Sequence, residues 1–305
     1  MSTESKWCAV TGGRGFMARH LVAALLRSGE WCVRITDLAP EATLDNAEKE
    51  GLLGAALRDG RAVYASTDVC DLAQLTKDFE GVDVVFHTAA ADPSTNNIQL
   101  HYKVNLEGTR NVIDACKACK VKKLIYTSSC GVVFDGVHGL FDVDESVPYP
   151  EKIIIGDGKN YDDFVYVENV VHGHICAEKT LSTEVGATKS GGKAYFITNM
   201  EPMNMWDFLY SILEELGYKS ISKIRIPSYI LIPITHVLEW ISDKLNKLYG
   251  MRQSNHMLTS SRIKYVTLNR TFNCNKATEE LGYMPIISLK EGVEITTKFY
   301  GHSRA

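Results

Sequence analysis

Along the first 130 residues, short β-branched and aromatic runs alternate with segments of helical period. The runs are Trp7–Thr11, Trp31–Asp37, Ala62–Ser66, Val82–Thr88 and Lys123–Ser128. Between them lie Phe16–Ser28, Leu44–Arg58, Leu72–Phe79 and Gln99–Lys120, with apolar positions three or four residues apart. This alternation predicts parallel βαβ units joined by right-handed crossovers. The strands are apolar nearly throughout, as a sheet with helices on both faces requires. The expected fold class is α/β, a doubly wound parallel sheet.

After Ser129 the rhythm breaks. Cys130 to Asp163 holds five glycines and two prolines and no helical run of ten residues. Beyond it the pattern predicts a helix near Val167–Leu181, a strand at Ala194–Thr198 and a helix at Met205–Leu216. An apolar stretch at Ile226–Leu248 and a last helix near Leu289–Phe299 follow. The expected organisation is a nucleotide-binding domain over 1–135, a short segment over 136–163, and a smaller, mostly helical substrate-binding region over 164–305.

The first strand runs into Thr-Gly-Gly-Arg-Gly-Phe-Met-Ala, Thr11 to Ala18, and a helix follows. Glycines at this spacing suit a pyrophosphate at a helix start: Gly12, followed by Gly13, for the tight turn, Gly15 for close approach, and Ala18 for packing of the helix on the strand. The first-turn N–H groups, from Phe16 onward, and the positive end of the helix dipole would meet the phosphates. Asp37 closes the second strand, where a carboxylate accepts hydrogen bonds from both ribose hydroxyls and repels a 2′-phosphate. The pattern is a Rossmann-type site for NAD rather than NADP. A plain glycine turn with a solvated aspartate is the alternative. Asp68 follows the third strand, in reach of an adenine edge. The small residues Ala89, Ala90 and Ala91 let a dinucleotide lie across the strand ends, and Asn105 is placed to bond backbone nearby or to sit on a helix surface. His87 reads as a packed strand histidine rather than a catalyst.

Apolar residues make up 45% and charged residues 23%, enough for a buried core, and the net charge of −4 offers no electrostatic footprint for nucleic acid. Eight cysteines show no framework spacing and no leader precedes them, so they read as reduced thiols of an intracellular, cytosolic protein. Cys116 and Cys119 lack a second pair and read as helix packing. Ile226 to Ile241 is interrupted by two prolines, a histidine and a glutamate, which argues against a membrane span.

These motifs together resemble the extended short-chain dehydrogenase/reductases. The nearer match is to their 3β-hydroxysteroid dehydrogenase branch and its plant-type sterol-4α-carboxylate 3-dehydrogenases (decarboxylating). The resemblance rests on Trp7–Phe16, Ala18–Val22, Arg34–Pro40, Leu124–Ser129, Val132–Gly139, Asp144–Pro150, Ile154–Asn160, Tyr166–His172 and Ala194–Pro202. It implies NAD-dependent oxidation of a sterol 3β-hydroxyl, with loss of a carbon-4 carboxylate, in sterol biosynthesis. It also implies Ser129 as the family's catalytic serine, with Thr127 and Ser128 beside the cofactor. The small-molecule partner would be a sterol. Homodimerisation and peripheral contact with the endoplasmic reticulum membrane are left open.

The family's other catalytic pair, Tyr and Lys as Y-x-x-x-K on one helix face, is missing: none of the 14 tyrosines has lysine four residues later. Tyr149 lies between prolines with Lys152 three residues on, and Tyr300 is followed by Arg304. Pro150-Glu151-Lys152 runs directly into Ile153-Ile154-Ile155-Gly156-Asp157-Gly158, leaving no room for the roughly 30 residues of a βαβ unit. The expectation is an internal deletion at Lys152–Ile153, with reduced stability and poor turnover. Two alternatives stand beside the dehydrogenase: an NAD-binding pseudoenzyme, and a reductase of another bulky alcohol or ketone.

Overall fold

The computed structural model describes residues 6–93, 95, 97–134, 139–147, 160–217, 233–235, 237, 244 and 268–301. The Lys152–Ile153 junction, Tyr149, Arg304 and most of Ile226–Leu248 lie outside them. The chain divides into two compact units, Met1–Ser128 with Val170–Gly192, and Ser129–Asn169 with Lys193–Ala305.

In the first unit β1 (Lys6–Thr11), β2 (Trp31–Asp37), β3 (Ala62–Ser66), β4 (Val84–His87) and β5 (Lys123–Tyr126) form one sheet, in the order β3-β2-β1-β4-β5. Every pairing is parallel, and Thr11 lies level with Thr36 on one side and His87 on the other. Side chains alternate between two cores. Cys8, Val10, Val84, Phe86 and Ile125 face α1 (Phe16–Ser28), α3 (Leu52–Arg58) and α7 (Val167–Leu181). Ala9, Val85 and Leu124 face α4 (Leu72–Phe79) and α6 (Thr109–Ala118). The central strands β1 and β4 thus bury apolar side chains on both faces, because each face has its own helices. Strand order reverses between β1 and β4, which opens a crevice at their carboxyl ends.

Several expected elements are shorter or divided. The strand expected at Val82–Thr88 is β4 alone, because Thr88 N–H and Ala89 N–H leave the ladder to donate to Thr11 Oγ1. The strand expected to Ser128 ends at Tyr126. The helix expected at Leu44–Arg58 splits at Gly51 into α2 (Asn46–Glu50) and α3. An Asp45–Glu48 capping box starts the first piece. The helix expected at Gln99–Lys120 begins as α5 (Ile98–His101) and passes through a π-helical segment, Tyr102–Gly108, before α6. Cys116 is buried in the core and the Cys119 thiol donates to the Thr76 carbonyl, as a packing role requires.

The unit boundary falls at Ser128–Ser129 rather than after residue 135, and residues 170–192 go with the sheet rather than with the C-terminal region. The reason is packing: Val171, Ile175, Ala177 and Leu181 of α7 join the core of the first unit.

The second unit holds a four-stranded sheet that local periodicity did not announce. Its strands are β6 (Leu140–Val143), β7 (Tyr161–Asp162), β8 (Met203–Asn204) and β9 (Arg270–Phe272), in the order β6-β9-β7-β8. They are two to four residues long, too short for a period-2 signal. The strand expected at Ala194–Thr198 is absent. Its backbone is taken by side chains instead: Phe196 N–H donates to Glu145, and the Phe196 and Thr198 carbonyls accept from Cys274 and Tyr283. Helix α8 (Glu184–Ser190) lies in the first unit, and the second also holds helices α9 (Met205–Glu215), α10 (Asn275–Leu281) and α11 (Leu289–Gly301). Asp163 accepts from Phe272 N–H. Asn169 is structural: its amide donates to Asn199 and the Ile287 carbonyl and accepts from Ile286 and Ile287 N–H.

Candidate functional site

The crevice is built from strand ends of the first unit. After Thr11 the chain turns at Gly12, where φ is +65° and an added Cβ would lie 2.8 Å from Ala89 Cα. Gly13 N–H donates to the Thr36 carbonyl at 3.0 Å and Gly15 N–H to the Gly12 carbonyl at 2.9 Å, which closes the turn. Gly15 then caps α1 in extended conformation. The helix has no side-chain cap and no acidic residue in its first turn, so its N-terminal N–H groups and the positive end of its dipole would suit an anion. Phe16 is exposed there, and Ala18 packs in the core.

Asp37 is fixed at the end of β2. Its Oδ2 accepts from Arg14 N–H at 2.9 Å and its Oδ1 from Leu38 N–H at 2.8 Å. Each oxygen keeps a lone pair for a further donor. The Arg14 guanidinium points elsewhere, gripping Glu48 with two bonds of 3.1 and 2.8 Å and the Thr43 carbonyl at 2.8 Å. Asp68 is half-buried in the loop after β3, held by Cys70 N–H and Gln74.

The opposite lip is Thr88 to Ala91. Ala89 lies under Gly12, Ala90 is exposed and Ala91 is buried. Asn105, in the π-helical segment, accepts from Ala91 N–H at 2.8 Å, which is the backbone role suggested for it. His87 is fully buried, within 2.7 Å of Thr11 Oγ1 and 3.0 Å of Thr109 Oγ1, and stacks on Tyr126. It is a packed strand histidine. Thr127 donates its N–H to the His87 carbonyl, and its hydroxyl lies 2.6 Å from His174 Nε2. Ser128 is exposed. Ser129 opens the second unit, exposed, with its hydroxyl oxygen accepting from Gly131 N–H.

The structure therefore gathers Gly12, Gly13, Gly15, Asp37, Ala89, Ala91, Asn105 and Thr127 at one end of one sheet. Thr11, Thr109, His174 and Arg14 were not foreseen in the roles they take. Their signal is tertiary, since no spacing rule pairs Thr127 with a histidine 47 residues on.

Burial pushes the His87 imidazole down from 6.5 to about 4, and burial also lowers His174. The unfolded chain protonates His87 below pH 6.5 and the folded chain only near 4, so folded stability falls as pH drops from 6.5 through 4. His87 alone accounts for about 3 kcal/mol at the lower end. Urea midpoints measured between pH 7.5 and 4.5 should fall accordingly, and in His87→Phe the slope should flatten; an equal slope in both proteins refutes the assignment.

Comparison with known proteins follows the same lines. The sequence model of the 3-beta hydroxysteroid dehydrogenase/isomerase family matches residues 9–154 and 151–228. The chain is 44% identical to 3beta-hydroxysteroid-dehydrogenase/decarboxylase isoform 1 of Arabidopsis thaliana, over 100% of this chain and 82% of the relative. With isoform 2 it shares 43%, over 100% of this chain and 64% of that one. The human sterol-4-alpha-carboxylate 3-dehydrogenase, decarboxylating, is 30% identical, over 99% and 90%. Among solved structures, UDP-glucose 4-epimerase from Thermotoga maritima superposes with a TM-score of 0.68 at 18% identity, covering 98% of this chain and 100% of that one, a likeness of fold. The alignment with isoform 1 runs over 364 positions against the 305 residues here, so about 59 positions of it have no residue in this chain. The two family matches meet at 151–154, on the junction where the sequence leaves no room for a βαβ unit. By the family match and by identity over its whole length, the chain belongs to the 3-beta hydroxysteroid dehydrogenase/isomerase family.

Proposed function

We propose that this chain binds NAD and derives from enzymes that oxidise the 3β-hydroxyl of a 4α-carboxysterol and release the carboxylate as carbon dioxide. The observation that carries this is the 44% identity to the Arabidopsis dehydrogenase/decarboxylase across the whole chain. The crevice agrees with it. Gly12, Gly13, Gly15 and the open start of α1 would hold the pyrophosphate, with Phe16 at its edge. Asp37 would take the adenosine ribose and Asp68 the adenine. Ala89 to Ala91, Asn105, Thr127 and Ser128 would line the nicotinamide side, with Ser129 toward the substrate hydroxyl. Arg14 is engaged with Glu48, so it offers no charge to a 2′-phosphate.

Bound NAD would supply the hydride acceptor. The protein's own part is to orient the sterol and to remove the hydroxyl proton. Once the ketone has formed, the carbon-4 carboxylate belongs to a β-keto acid, and the ketone takes up the electron pair that departing carbon dioxide leaves. Peripheral attachment to the endoplasmic reticulum and homodimer formation belong to the proposal as well. No helix among the described residues is long and apolar enough to cross a membrane.

For this polypeptide the second reading, a catalytically impaired NAD-binding protein, has its own support: no tyrosine is followed by lysine at the required spacing. A positioned proton acceptor contributes about 10²–10⁴ in rate. NADH fluorescence titration together with turnover of a 4α-carboxysterol separates the readings. We expect saturable NADH binding and turnover at least about 100-fold below an intact relative. Equal turnover overturns the impaired reading, and absent NADH binding overturns both. Asp37→Ala should weaken NADH about 10- to 100-fold, the worth of hydrogen bonds to a charged acceptor.

A further inference from the structure

One hydrogen-bond chain in the first unit, running outward from the buried pair Thr11 and His87, has a direction that can be worked out donor by donor. Thr109 Oγ1 lies 2.7 Å from the Asn105 carbonyl and donates to it, so its only proton is committed. Its oxygen can then only accept from His87 Nε2 at 3.0 Å, which must carry a hydrogen. The ring is fully buried and neutral, which leaves Nδ1 bare. Nδ1 therefore accepts from Thr11 Oγ1 at 2.7 Å. Thr11 Oγ1 in turn accepts from Thr88 N–H at 3.2 Å and Ala89 N–H at 3.4 Å. At the far end, Asn105 Oδ1 receives Ala91 N–H at 2.8 Å. The loop Thr88–Ala91 is thus tied at its start through Thr11 and at its end through Asn105, and the His87 ring joins the two ties.

We infer that His87, as its Nε2–H tautomer, is a positioning residue that couples Thr11 to the π-helical segment and keeps the Thr88–Ala91 lip of the crevice preformed. For cofactor affinity the inference rests on the NAD reading above; for the loop itself it does not. The π-helical segment fits this role. A π-helical turn shifts the helix register by one residue, and here it accompanies the presentation of Asn105 to Ala91 while Gly108 packs beside Val69. No rule of the sequence links Thr11 with Thr109, and the two hydroxyls meet only through the ring.

Two measurements test this, and the first needs no cofactor. Nitrogen-15 NMR of histidine-labelled protein should show one buried ring as a fixed Nε2–H tautomer from pH 7.5 to 5.5; an Nδ1–H ring or an exchanging mixture at His87 overturns the assignment. In the same samples Thr109→Val, close in shape but lacking the hydroxyl, should speed amide exchange at Thr88 and Ala89 at least about fivefold, although Thr109 touches neither; that size corresponds to about 1 kcal/mol, one hydrogen bond. Thr109→Ser, which keeps the hydroxyl, should restore the parent rates. Unchanged exchange in Thr109→Val overturns the coupling. The second measurement is NADH affinity in Thr11→Val, Thr109→Val and the double variant. Acting through one ring, the double variant should be no more than about twofold weaker than the worse single variant; multiplying effects overturn the shared route. If the parent protein binds no NADH, the cofactor reading fails while tautomer and exchange still decide whether His87 joins the ties.

Discussion

Placing the missing segment of the Arabidopsis relative in frame between Lys152 and Ile153 is expected to raise kcat/KM on a 4α-carboxysterol by about 10²–10⁴, the range a positioned acid–base group supplies. About 59 alignment positions have no residue in this chain, and taken as one block they would make one helix and one strand with their loops. Topology says where they would go. The crossovers from β3 to β4 and from β4 to β5 place α4 and α6 on the same face. A further right-handed crossover in the same direction sets its helix beside α6 and its strand against β5. Among the described residues β5 is the edge of the sheet, Tyr126 is 49% exposed, and Leu106 and Ile113 are exposed at 45% and 38% along the π-helical segment and α6. An open edge with apolar neighbours invites pairing between copies. The chimera should therefore also melt higher and self-associate less than the parent in sedimentation. A chimera no more active and no more stable than the parent would show that this segment is not what the chain lacks.

Gly12→Val should abolish NADH binding and destabilise the first unit by at least about 2 kcal/mol. The backbone there is left-handed, which costs a residue with a side chain about 1–2 kcal/mol, and the added carbon would press on the backbone of Ala89, which cannot swing aside. Gly15→Ala gives the contrasting result. Its Cβ would meet only the Gly12 carbonyl, at 3.1 Å, and its backbone is extended, so the protein should melt within about 1 kcal/mol of the parent. If the pyrophosphate approaches Gly15 closely, NADH affinity should still fall. A Gly15→Ala protein with parental affinity would remove Gly15 from the cofactor site.

The glycine turn, Asp37 and the small residues after β4 could be picked out in the sequence because each answers to a local requirement. A left-handed turn needs glycine, and on the proposed NAD reading a strand ending at the ribose would need a short carboxylate and a backbone under the dinucleotide would need small side chains. Their gathering follows from the parallel sheet, whose carboxyl ends fall level once the registers are set. Asn105 could be named but not placed. It reaches Ala91 from a π-helical segment that also packs Gly108 beside Val69 and takes the Thr109 hydroxyl on the Asn105 carbonyl, contacts that the period of the sequence does not announce.

The second unit was read less well, for the same physical reason in reverse. Its strands are too short to show a period and draw partners from distant parts of the chain, as when Tyr161 pairs with Asn204 and Asp162 with Arg270. The segment Ala194–Thr198 has the composition of a strand, yet side chains of Glu145, Cys274 and Tyr283 take its backbone groups.

The parallel α/β half, the glycine turn and the absence of the Tyr–Lys pair are legible along the chain, since periodicity, turn chemistry and spacing are properties of neighbours. Which unit α7 joins, which hydroxyl His174 meets and which nitrogen of His87 carries its proton are matters of three-dimensional packing. Those depend on groups brought within hydrogen-bond reach by packing, and packing is settled by the whole core rather than by any stretch of it.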